Sequence, residues 1–111
     1  MLYRTRMSSK NEINNPKLVL IKESLLPFVQ EYGIVKAYIF GSFAREEDTD
    51  LSDVDFLIEF DKDFDMIEFF RLKNRLEEIL SRKVDIVEPK SINPVFKESI
   101  LKDTILLYSS K

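Results

Sequence analysis

Histidine and cysteine are both absent from the 111 residues, and their absence removes most common catalytic and metal chemistries. Without imidazole there is no Ser-His-Asp triad and no histidine base, and with neither imidazole nor thiolate there is no ordinary zinc site. Without cysteine there is no disulfide framework, which fits a cytoplasmic chain. No apolar run approaches the roughly 20 residues that cross a bilayer, so no membrane span is expected. The amino terminus, MLYRTRMSSK, carries charge where a signal peptide has its apolar segment. Any acid-base or metal chemistry must therefore run on carboxylates, lysine or tyrosine. Oxygen-only ligand sets favour Mg²⁺, Mn²⁺ or Ca²⁺.

What is present suits one compact domain. Hydrophobic residues make up 44% of the chain and include nine Phe against only two Gly, enough to bury a core. The net charge of -3 is modest, but ten of the 20 acidic residues fall between Glu46 and Asp65, against the single Lys62. Such a face repels phosphate backbones unless a cation intervenes, which argues against direct nucleic-acid binding there.

Residues 1–14 are polar and read as a flexible leader, with the domain spanning 15–111. Asn15-Pro16 predicts an N-cap followed by proline at the first helical position. Leu18, Ile21, Leu25, Phe28 and Val29 then recur at helical spacing as far as Gly33, with Pro27 expected to loosen the helix. VKAYIF (35–40) reads as a strand, and DVDFLIEF (53–60) alternates as a second, with Val54, Phe56, Ile58 and Phe60 on one face and Asp53, Asp55, Leu57 and Glu59 on the other. Asp65 and Glu68 resemble a capping box for a helix reaching about Leu80, with Phe69, Leu72, Leu76 and Ile79 on its apolar face. KVDIVEP (83–89) predicts a third strand. Asn93-Pro94 opens a short helix carrying Phe96, Ile100 and Leu101, and TILLYS closes the chain as a fourth strand. The expected class is α/β (α+β): a small mixed sheet of about four strands with helices packed against it.

Asp53 and Asp55 stand out because Asp is disfavoured in strands and two neighbouring carboxylates repel. Residues two apart on a strand share a face, so both can lean toward one divalent cation. Asp85 lies mid-strand in KVDIV and can join them if the third strand neighbours the second. Upstream, Gly41-Ser42 follows a strand and opens a helical turn, SFARE, whose free N–H groups, hydroxyl and Arg45 guanidinium suit phosphate oxygens. Taken singly, each piece has a plain structural reading. Gly41-Ser42 alone is an ordinary turn, Asp53 and Asp55 are solvated acids on an edge strand, and Arg45 is a surface partner for Glu46 to Asp50. A calcium loop beginning at Asp48, with Asp50, Ser52 and Glu59, fails because Asp53 stands where its glycine belongs and strands flank it.

Taken together, Gly41-Ser42, ten intervening residues, Asp53-Val54-Asp55 and a later strand bearing Asp85 resemble the nucleotidyltransferase superfamily of DNA polymerase beta. More narrowly, GSFAREEDTDLSDVDFLIEF is similar to the minimal nucleotidyltransferases of prokaryotes, many of them antitoxins encoded beside a helical HEPN partner. That resemblance implies that Asp53 and Asp55 hold Mg²⁺ (or Mn²⁺) and that Asp85 completes the metal set and helps deprotonate the acceptor. It implies that Gly41, Ser42, Arg45 and Ser52 bind the nucleotide, with ATP as substrate. The implied activity is transfer of AMP to a tyrosine of a HEPN-type toxin; the alternative is a non-catalytic antitoxin that neutralises this partner by binding. A chain this short has no separate domain for acceptor recognition, so a homo- or hetero-oligomer that completes the site is expected. Glu46 departs from the pattern, because many relatives have glycine after the arginine.

Overall fold

In the computed structural model, which describes residues 15–63 and 65–110, the fold is set by three well-marked helix starts and one reversal at glycine. The expected leader, 1–14, lies outside the described residues. Asn15 Oδ1 accepts the Lys17 N–H at 2.8 Å and starts α1 (Pro16–Leu25). Pro27 cannot donate into an α-helical ladder, and there the chain tightens into a 3-10 turn, Leu26–Phe28. Gly33, at φ +65°, then reverses the chain into β1 (Ile34–Phe40). After β2 (Val54–Phe60), Asp65 Oδ1 accepts the Glu68 N–H at 2.9 Å and caps α2 (Met66–Leu80). β3 (Val84–Val87) follows, then α3 (Pro94–Lys102), capped by Asn93, and β4 (Ile105–Ser109).

The four strands form one mixed sheet in the order β3-β2-β1-β4. β1 runs antiparallel to both β2 and β4, while β2 and β3 are parallel. A parallel pair needs a long crossover, and α2 supplies it. Leu18, Ile21 and Leu25 of α1 join Leu72 and Leu76 of α2 in one core with Ala37, Ile39, Val54, Phe56, Ile58, Val84 and Leu107. Arg75 ties the two helical segments together: its guanidinium lies 4.6 Å from the Phe28 ring centroid and donates to Glu31 and to the Tyr32 hydroxyl. Among the described residues no helix is long and apolar enough to cross a membrane.

Several expectations need correction. β2 begins at Val54, so Asp53 precedes the strand instead of belonging to it. Ile79 is 53% exposed, while Leu80 packs against the core; both follow Leu76 at helical spacing, and periodicity cannot choose between them. The short helix expected at Asn93-Pro94 is present as α3, but its Phe96 and Leu101 are exposed and no α3 residue joins the core that α1 and α2 help to build. Leu57, expected on the polar face of β2, is buried yet stands apart from the core cluster, so the second sheet face is covered at that point.

Candidate active site

The site forms where β1 ends beside the start of β2. Gly41 leaves β1 at φ +78°, a conformation that L side chains rarely adopt. A Cβ on Gly41 would lie 2.3 Å from Asp55 Oδ2, so the Asp55 carboxyl occupies the space that a side chain there would need. Beyond it, Arg45 N–H donates to Gly41 O at 3.1 Å and Glu47 N–H to Ser42 O at 2.8 Å. These bonds close a single helical turn that goes no further, and Phe43, buried in the core, anchors it.

Strand register brings the acids together. Asp55 pairs with Phe40 across the antiparallel ladder and with Asp85 across the parallel one, so Asp55 and Asp85 lie side by side on one sheet face. Asp53 and Asp85 are exposed and Asp55 is half-buried. Burial pushes the Asp55 carboxyl up to about 6, with further upward pressure from Asp85 and then Asp53, while Arg45 acts in the opposite direction. Among the described residues no group of three or more acids converges as a ready cation cage. Asp85 instead stands beside Asp55 across the parallel ladder, and Asp53 precedes Asp55 by two residues. Oxygen donors alone, mutually repelling and partly desolvated, are the donor set that suits a hard divalent cation which keeps positions for water or phosphate. The residues present therefore fit such an ion.

The remaining expected residues stand nearby in less open states. Arg45 Nε donates to Glu47 Oε1 at 3.0 Å, an exposed pair within the turn itself. Ser52 Oγ accepts the Thr49 N–H at 2.8 Å, which engages its hydroxyl in shaping the acidic loop. Glu46 adopts φ +59°, the left-handed region, so the position where the sequence departs from the family pattern is also one that favours glycine. Among the described residues no hydrogen bond of the Ser42 hydroxyl distinguishes it from an ordinary turn serine.

Three supporting contacts escaped the sequence reading. Asp48 accepts from Lys17 Nζ at 2.7 Å, which fastens the acidic loop to α1 and holds the Asp48 carboxyl below the usual range. Glu77 Oε2 accepts both Lys73 Nζ and the Val84 N–H at 2.9 Å, so α2 grips the first residue of β3 just before Asp85. Arg82 reaches from the α2–β3 connection onto the acidic loop. Only the i,i+4 spacing of Lys73 and Glu77 was a signal legible in advance; the Glu77–Val84 bond spans seven residues across the helix-strand connection, and the Lys17 and Arg82 contacts span 30 or more.

Comparison with known proteins follows the same lines. A family model described as polymerase beta nucleotidyltransferase matches residues 23–111. A candidate protein adenylyltransferase of Methanocaldococcus jannaschii is 39% identical over 85 residues, covering 77% of this chain and 91% of its own. A solved structure of a candidate minimal nucleotidyltransferase is 33% identical with a TM-score of 0.70, over 81% of this chain and 92% of that one. A chain in the complex of a tri-AMPylated Shewanella oneidensis HEPN toxin with its MNT antitoxin superposes with a TM-score of 0.65, over 84% of this chain and 73% of that one. At 19% identity that last likeness is one of fold.

Proposed function

The chain belongs to the polymerase beta nucleotidyltransferase family, and from that premise we propose that it is a protein adenylyltransferase of the antitoxin type, moving AMP from ATP to a tyrosine of a HEPN-type toxin. The transferase domain would be residues 15–111. The observation that carries the reading is the Asp55–Asp85 register pair lodged against the Gly41-Ser42 turn, with Asp53 adjacent. Carboxylates and phosphate-binding groups then meet at one strand end.

Asp53, Asp55 and Asp85 would hold a divalent cation, Mg²⁺ or Mn²⁺. Bound there, such an ion supplies charge neutralisation for the triphosphate and the departing diphosphate. Gly41 admits the phosphate chain close to the backbone because it has no side chain. Ser42 and the N–H groups of the turn orient phosphate oxygens, and the Arg45 guanidinium adds a planar, charge-assisted donor once it exchanges Glu47 for phosphate. The tyrosine oxygen attacks the α-phosphorus as the bond to the β-phosphate oxygen breaks, and diphosphate leaves. A phenol has a pKa of about 10 and is a weak nucleophile at neutral pH, so its proton needs an acceptor. With no histidine in the chain, Asp85 takes that role, exposed at the strand where an acceptor can approach.

One observation favours the competing reading, neutralisation by binding alone: Arg45 is engaged by Glu47 instead of standing free. The two readings separate when the purified chain and a HEPN-type partner are incubated with ATP and Mg²⁺ and both are weighed intact. Transfer predicts that the partner gains the mass of an adenylyl group, AMP less one water; a neutralised partner of unchanged mass contradicts it.

A further inference from the structure

We propose that Arg82 is a positioning residue, a clamp that holds the acidic loop in the shape that delivers Asp53 to the site. The inference rests on the reading of Asp53, Asp55 and Asp85 as the carboxylate site. Ser81 ends α2 in the left-handed conformation, φ +55°, and turns the chain toward the loop. Arg82 Nη1 then lies among three backbone carbonyls, 3.0 Å from Thr49 O, 3.1 Å from Ser52 O and 3.4 Å from Asp50 O. Its guanidinium carbon is 5.0 Å from the centroid of Phe43, the buried anchor of the Gly41 turn. One side chain therefore touches both the acidic loop and the phosphate-binding turn, and it stands three residues before Asp85.

The acceptors decide what this cation does. Its charge helps lower the Asp48 carboxyl, yet its hydrogen bonds go to carbonyls, so it fixes backbone shape and does not merely balance charge. Ser52 O, one of the three, belongs to the peptide that leads into Asp53. The loop holds the complementary half of its shape internally, through Thr49 N–H to Ser52 Oγ at 2.8 Å and Leu51 N–H to Thr49 Oγ1 at 3.2 Å. The adjoining residue continues the tie, as Lys83 O accepts the Val54 N–H at 2.9 Å. A guanidinium can lie over a ring and donate in its own plane at once, which an ammonium cannot reproduce.

The test uses Arg82→Gln and Arg82→Lys in the full chain, with Asp53→Asn as the control for the site. Amide hydrogen exchange at Thr49, Leu51 and Ser52 should accelerate at least tenfold in Arg82→Gln, while β1 amides keep their protection. The Mg²⁺ concentration that half-saturates ATP binding should rise at least fivefold, with partial recovery in Arg82→Lys. A general loss of structure would instead accelerate β1 as well. Unchanged loop exchange overturns the clamp. Faster loop exchange with an unchanged Mg²⁺ requirement, where Asp53→Asn does weaken ATP binding, overturns the positioning role. If Asp53→Asn leaves ATP binding intact, the carboxylate site itself falls and the positioning role with it, while loop exchange still reads the clamp. Should Arg82→Gln fail to fold, Arg82→Lys supplies both readings, and wild-type behaviour in both would overturn the proposal.

Discussion

At the scale of the residue, Asp55 carries the strongest consequence. Its folded-state carboxyl titrates at about 6 because burial, Asp85 and Asp53 all oppose its charge. A carboxyl raised above its unfolded value of about 3.9 stabilises the fold in its protonated form. That contribution is fully present below about pH 4 and is lost as the pH rises through about 6. Without divalent cations, Asp55→Asn should therefore be more stable than wild type at pH 7.5, and the gap should close by pH 4.5. Discounted for the solvent that reaches this half-buried group, the neutral-pH gain is about 1 kcal/mol, or roughly 4 °C in Tm. A gap that does not change with pH would contradict the account. Gly41→Ala acts on the same carboxyl: its methyl would meet Asp55 Oδ2, and the φ of +78° adds strain. We expect a loss of about 1 to 2 kcal/mol in urea unfolding, together with weaker nucleotide binding. Glu46→Gly should do the reverse, gaining about 0.5 to 1 kcal/mol by relieving a left-handed non-glycine residue. Equal or lower stability in that variant would show that the loop, not the residue, sets the strain.

At the scale of the element, helix starts and strands were legible and long-range pairings were not. Asn15-Pro16, Asp65 and Asn93-Pro94 announced the three α-helices of the described residues, because a cap is a local bond between residues two or three apart. An apolar periodicity shows that a face exists but not that a partner covers it, and no residue of α3 joins the core cluster. The same limit applies to Ile79, which competes with Leu80 for the core. The gathering of Gly41, Asp55 and Asp85 was readable from motif order, whereas Arg82 and Asp48 act through contacts between distant segments, which no local pattern records. The contrast between α2 and α3 is measurable. Leu72→Ala or Leu76→Ala, each fully buried, should cost about 2 to 5 kcal/mol. Phe96→Ala should cost less than about 0.5 kcal/mol, since Phe96 is 58% exposed. A comparable cost for Phe96→Ala would mean that α3 packs more closely than the fold indicates.

At the scale of the whole molecule, a small mixed sheet packed against α1 and α2 leaves a strand end where the carboxylates meet the Gly41-Ser42 turn. The parallel β2–β3 pairing matters most, because it alone sets Asp85 beside Asp55. The central claim is that this convergence transfers AMP, and Asp85→Asn tests it most directly. The substitution keeps the side chain's shape and removes its capacity to accept a proton. Intact-mass measurement of a HEPN-type partner, incubated with ATP, Mg²⁺ and either the wild-type chain or Asp85→Asn, should show AMP on the partner with wild type. With the variant, transfer should be slower by at least about 10²-fold, and neutralisation of the partner should fail in step. A variant that transfers no AMP yet neutralises the partner as well as wild type would show that the protein works by binding, and would contradict the account.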